Sequence, residues 1–107
     1  MKIRNDALRS VLNEYIDEVF AGFAQDWWNL GNKLGAKILL GRQLDKYLPM
    51  FTDKDGYVDL TNVEDYAMPE IRKMGVLDVP GLGKNYTFNE NDFLRLFAKL
   101  REKAQHD

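Results

Sequence analysis

The segment with the longest helical periodicity, residues 24–48, constrains the fold of this 107-residue chain more than any other feature. Its apolar side chains recur every three or four residues, which is typical of a helix, and they cover more than half of the helical circumference. They lie at Trp27, Trp28, Leu30, Leu34, Ile38, Leu39, Leu44 and Leu48. An apolar face this wide predicts a central helix that other elements cover on two sides.

Three glycines, Gly31, Gly35 and Gly41, lie inside the same segment. A glycine in a helix costs about 1 kcal/mol relative to alanine, so each one needs a structural reason. The usual reason is the close approach of a neighbouring helix. Gly31 and Gly35 match the small-xxx-small spacing of paired membrane helices, but the surrounding charges do not suit a bilayer, so the pattern indicates helix packing only.

Three further segments show the apolar spacing of amphipathic helices. The first covers residues 5–21, and the second begins at a capping box formed by Thr61 and Glu64. The third is capped by Asn89 or Thr87. Its apolar stripe consists of Phe93, Leu96, Phe97 and Leu100.

Two short segments between the helices alternate like strands, at about residues 57–60 and 86–88. Each ends in a large apolar residue and leads into a helix, so we expect the two strands to pair with each other. The sequence therefore predicts a mainly α fold. It consists of a single domain, residues 1–107, with four helices and a small two-stranded β-ribbon.

The composition argues against catalysis and against a membrane protein. The chain has no cysteine, and its one histidine, His106, is next to last, so disulfides, thiolate metal sites and histidine triads cannot form within one chain. We expect no cofactor and no enzymatic activity. The apolar runs are too short to span a bilayer, and no signal-peptide pattern follows the N-terminus. These features predict a cytoplasmic protein that does not bind membranes.

The stretch DKDGYVDLTNVE, residues 53–64, resembles a calcium-binding loop at its two ends. Such a loop needs a glycine at its sixth position, whereas Val58 stands there and the glycine, Gly56, comes two residues earlier. The stretch therefore predicts a turn in which Gly56 takes a positive φ. The alternative is a weak cation site, and with it a carboxylate-based, metal-dependent activity around residues 53–65. Its ligands would be Asp53, Asp55 and Asp59.

Aromatic and large apolar residues near both ends of the long helix are the candidates for contact with a partner. Trp27 and Trp28 point about 100° apart on a helix, so one of them lies exposed unless the helix is covered on two sides. Tryptophan is enriched at protein interfaces. The leading hypothesis is a protein-binding or self-associating module, with a protein partner or a homo-oligomer. Its candidate residues are Trp27, Trp28, Tyr47, Met50 and Phe51.

Nucleic acid is the alternative partner. Lys33, Lys37 and Lys46 lie on the polar side of the long helix, and helices with a short strand pair can support a winged-helix-like arrangement. The formal net charge of −2 and the pI of about 5.4 give no general attraction to nucleic acid. We therefore rank this hypothesis below protein binding.

Overall fold

The computed structural model describes residues 1–22, 27–74, 77–78 and 87–106. Within these residues the chain forms four α-helices, one short 3-10 helix and four short strands. Their order is β1 (Lys2–Arg4), α1 (Asn5–Ala21), α2 (Trp27–Tyr47), the 3-10 helix (Leu48–Met50), β2 (Tyr57–Asp59), α3 (Leu60–Met74), β3 (Leu77–Asp78), β4 (Thr87–Phe88) and α4 (Glu90–His106). The predicted mainly α fold with four helices is confirmed.

Side-chain caps start α3 and α4. At α4, the Asn89 carboxamide accepts from the Asp92 amide at 3.1 Å, and the Asp92 carboxylate accepts from the Asn89 amide at 3.0 Å. This reciprocal pair is a capping box and confirms Asn89 as the cap. At α3 the predicted capping box of Thr61 and Glu64 is wrong. Asp59 instead accepts from the amides of Thr61 and Asn62, at 3.0 and 3.3 Å.

The strands form two antiparallel pairs, and neither is the predicted one. β2 pairs with β1, so that Ile3 lies opposite Val58. β4 pairs with β3, so that Leu77 lies opposite Phe88. The expected ribbon between residues 57–60 and 86–88 is therefore wrong, although both segments contain strands. The sequence analysis missed β1 as the partner of β2, because this strand is too short to show an alternating pattern.

One hydrophobic cluster joins β1, α1, the 3-10 helix, β2, α3 and α4. Ile3 and Val58, which pair across the two strands, are almost completely buried in it. The other buried members are Ala7, Leu8, Val11, Leu48, Leu60, Met68, Phe93, Leu96, Phe97 and Leu100. No helix in the described ranges combines the length and the apolar character that crossing a membrane requires.

α2 lies at the edge of this core, which corrects the prediction of a central helix covered on two sides. Its main helical partner is α1, whereas α4 contacts both α1 and α3. Of the α2 side chains that the structure describes, only Leu44 packs against the core. The apolar faces of α1, α3 and α4 enclose the core together with β1 and β2, so most of the apolar arc of α2 is left uncovered by the described residues.

Candidate interaction surface on the second helix

Four large aliphatic side chains of α2 are exposed on adjacent turns. The exposed fractions are 48% for Leu30, 61% for Leu34, 49% for Ile38 and 47% for Leu39. At about 100° per residue they form, together with two exposed glycines, an arc over about half of the helix circumference, with Leu30 at one edge and Leu39 at the other. We call this surface the α2 face. It consists of Leu30, Gly31, Leu34, Gly35, Ile38 and Leu39.

Two charged side chains beside this surface, those of Lys33 and Lys37, are directed toward α1, whereas the exposed Arg42 lies one turn beyond Ile38 on the same side of the helix. Lys37 and Lys33 lie 2.8 and 3.6 Å from a carboxylate oxygen of Asp17. The hydrogen bond from Lys37, with the nearby positive charges, holds the pKa of Asp17 below its usual value. The two lysines thus fasten α2 to α1, and the α2 face itself carries no charged residue.

Among the described residues, no neighbouring helix packs against the glycines of α2. A Cβ atom built on Gly31, Gly35 or Gly41 would meet nothing within 4 Å, apart from its own turn of helix. The expected close packing of a helix at these positions is therefore wrong for the described part of the chain. Gly31 and Gly35 instead form shallow notches in the exposed α2 face.

The predicted interaction residues stand in two groups, at the two ends of α2. Trp27 and Trp28 form the first turn of α2, but their side chains lie outside the part of the chain that the structure describes. Tyr47 and Met50, at the other end of the helix, are 38% and 64% exposed. Phe51 is half-buried, and its ring centre lies 5.4 Å from that of Tyr66, on which it packs at the rim of the core.

The three lysines proposed for nucleic-acid binding do not form a common basic face. Lys33 and Lys37 are paired with Asp17. Lys46 lies nine residues beyond Lys37, which places it on the opposite side of the helix, and its ammonium group sits 5.2 Å from the ring centre of Tyr47. No continuous positive surface results from these three residues.

The acidic turn uses its carboxylates to organise the backbone. Asp53 accepts from the amides of Asp55 and Tyr57, at 2.9 and 3.0 Å, and from the Lys2 ammonium group at 3.1 Å. These bonds, with that from Tyr57 the strongest cause, hold the pKa of Asp53 below its usual value. Asp59 is the cap of α3. Among the described residues, Asp53, Asp55 and Asp59 do not form a group that could hold a metal ion.

Sequence reasoning placed the four aliphatic residues of the α2 face in the core and therefore missed them as surface residues. The available signal was the position of Gly31 and Gly35 on the same side of the helix as Leu34 and Ile38. That pattern indicates an approaching helix, but it does not say whether the helix belongs to the same chain.

Comparisons with protein-family models, with curated proteins and with solved structures give no match to this chain.

Proposed function

We propose that this protein acts as a non-enzymatic binding module whose α2 face docks onto a protein surface. The observation that carries the proposal is the contiguous, uncharged row of half-exposed aliphatic side chains, Leu30, Leu34, Ile38 and Leu39. Isolated exposed leucines are common on protein surfaces, but a contiguous apolar patch marks an interaction site.

The patch supplies part of the free energy that a specific contact requires. Four side chains that are each about half exposed correspond to roughly two fully exposed ones, and burying two such side chains contributes about 3–6 kcal/mol. Association itself costs about 4–15 kcal/mol in lost freedom of motion. A partner must therefore contribute a comparable apolar surface of its own, since a polar surface would not offset this cost.

The other hypotheses have less support from the contacts. His106 lies in the last turn of α4, and Asp53 and Asp59 are engaged by backbone amides. Lys33 and Lys37 already neutralise Asp17, so their charges are poorly placed to neutralise phosphates. Neither a carboxylate-based activity nor a nucleic-acid partner follows from this arrangement.

The test compares the wild-type protein with L34E in two assays, a native pull-down from host lysate at moderate salt and sedimentation of the purified chain. We expect stoichiometric protein binding or self-association that L34E abolishes, because a charge in the buried contact would lack a partner. The control is Q43E. It adds the same charge at an exposed position nine residues away, on the opposite side of α2.

Circular dichroism checks that both variants keep the helical fold. The proposal fails if the wild-type chain neither associates nor retains a protein. It also fails if binding survives L34E.

A further inference from the structure

We propose that the partner of the α2 face is a second copy of this chain, with the two α2 helices packed antiparallel about a two-fold axis between Leu34 and Gly35. This inference rests on the proposed function and adds the identity of the partner and the geometry of the contact.

The α2 face is complementary to itself in size. In an antiparallel pair centred between Leu34 and Gly35, each Leu34 lies opposite Gly35 of the other copy, and each Ile38 lies opposite Gly31. Leu30 lies opposite Leu39. Large side chains thus meet glycine notches at two levels of the contact, which allows the helix backbones to approach closely. All six residues of the face take part in these pairings.

The face is also compatible with itself in charge. It has no charged residue, and the neighbouring Lys33 and Lys37 are held by Asp17 on the far side of the helix. The exposed Arg42 follows the face by one turn on the same side, but the antiparallel arrangement places the two Arg42 residues about 22 Å apart along the axis. Two copies therefore meet without opposing like charges. The antiparallel arrangement also places the positive end of each helix dipole beside the negative end of the other.

A second copy accounts for Gly31 and Gly35 in a way that the isolated chain does not. Both are unfavourable in a helix relative to alanine, and nothing in the described chain occupies the space beside them. A second copy occupies that space with Leu34 and Ile38. It also supplies the apolar surface that the α2 face requires of a partner.

The first test is sedimentation of the purified full-length chain from micromolar to millimolar concentration. We expect a monomer–dimer equilibrium that L34E shifts to monomer and Q43E leaves unchanged. We expect G35A to raise the dimer Kd about tenfold, because the added methyl group fills the notch opposite Leu34. The same substitution should stabilise the dilute monomer toward urea, since alanine favours the helix and nothing lies within 4 Å.

The second test determines orientation by thiol cross-linking with a short bismaleimide, which is clean because the chain has no cysteine. An equal mixture of L30C and L39C should form the mixed cross-link, because these positions flank the same edge of the antiparallel contact, about one interhelix distance of 8–10 Å apart. L30C alone and L39C alone should not cross-link, because like positions lie about 14 Å apart along the axis. Q43C, outside the α2 face, is the control.

Three results would overturn the inference. They are a monomer throughout the concentration range, a dimer that L34E or G35A does not weaken, and cross-linking of L30C or L39C with itself in preference to the mixture. A chain that stays monomeric but retains another protein in an L34E-sensitive manner would overturn this inference alone. The proposed function would then stand with a different partner.

Discussion

At the scale of single residues, Asp53 explains why a stretch that resembles a cation-binding loop forms a turn instead. Its carboxylate accepts from two backbone amides ahead of it and from Lys2, so its oxygens have partners without an ion. The glycine that a calcium loop needs at its sixth position lies two places too early, at Gly56. There its φ of 86° closes the turn between the 3-10 helix and β2. The turn and the cap of α3 together engage the carboxylates of Asp53 and Asp59.

Gly56 provides a residue-scale prediction. We expect G56A to lower the free energy of unfolding by about 1–2 kcal/mol, because an L residue with a Cβ is strained in the left-handed region. Urea denaturation followed by circular dichroism measures the change. The matched control is G41A, at a helical position with open space around it, which should raise stability by up to about 1 kcal/mol. Equal effects of the two substitutions would contradict this assignment.

At the scale of elements, the strand pair β1–β2 ties the N-terminus into the core. The three-residue strand β1 places Ile3 opposite Val58. Further backbone bonds run from the Leu60 amide to the Met1 carbonyl and from the Asn5 amide to the Gly56 carbonyl, both at 2.9 Å. A two-stranded pair is marginal by itself, so its stability depends on the burial of these two side chains against the helices.

The element-scale prediction concerns Ile3. We expect I3A to cost about 2–5 kcal/mol, the usual range for emptying a buried aliphatic site. I38A is the matched control, because it makes the same chemical change at a side chain that is 49% exposed. Measured by urea denaturation at dilute concentration, I38A should change stability by within about 0.5 kcal/mol. A small effect of I3A would mean that β1 does not contribute to the core.

At the scale of the whole molecule, α2 contacts the rest of the protein near its C-terminal end, where Leu44 packs against the core, and along the side that faces α1. Its ion pairs reach α1 through Asp17, and Arg9 of α1 also bonds Asp45 at 2.8 Å. By contrast, α4 buries Phe93, Leu96, Phe97 and Leu100 among α1, α3 and β1. Local stability should therefore be uneven between the two helices.

Amide hydrogen exchange tests this difference. In a dilute sample, we expect the amides of residues 34–40 to exchange about tenfold faster or more than those of residues 96–102, because α2 can open without disrupting the core. Raising the protein concentration should slow exchange in α2 selectively if α2 lies in a dimer contact. Equal protection of the two helices in the dilute sample would show that α2 belongs to the same cooperative unit as α4.

The features that the sequence by itself determined are local ones. The spans of the helices follow from apolar spacing, the start of α4 lies at one of the two caps that the sequence offered, Asn89 or Thr87, and the turn at Gly56 follows from its glycine. Each depends on residues a few positions apart, so the signal is contained in the stretch that forms the structure.

The tertiary structure alone decided which strands pair and which helix lies outside the core. The strand β1 pairs with β2 in place of the partner that the sequence predicted. The pairing buries Ile3 against Val58, and the sequence pattern did not predict it because these two residues are distant in the chain. Likewise, the apolar arc of α2 predicted a covered helix but could not say what covers it. Four helices have an apolar face, but one core does not bury all four faces. The spacing of apolar residues does not indicate which face remains exposed. The faces of α1, α3 and α4, closed by Ile3 and Val58, filled this core and left Leu34 and Ile38 exposed.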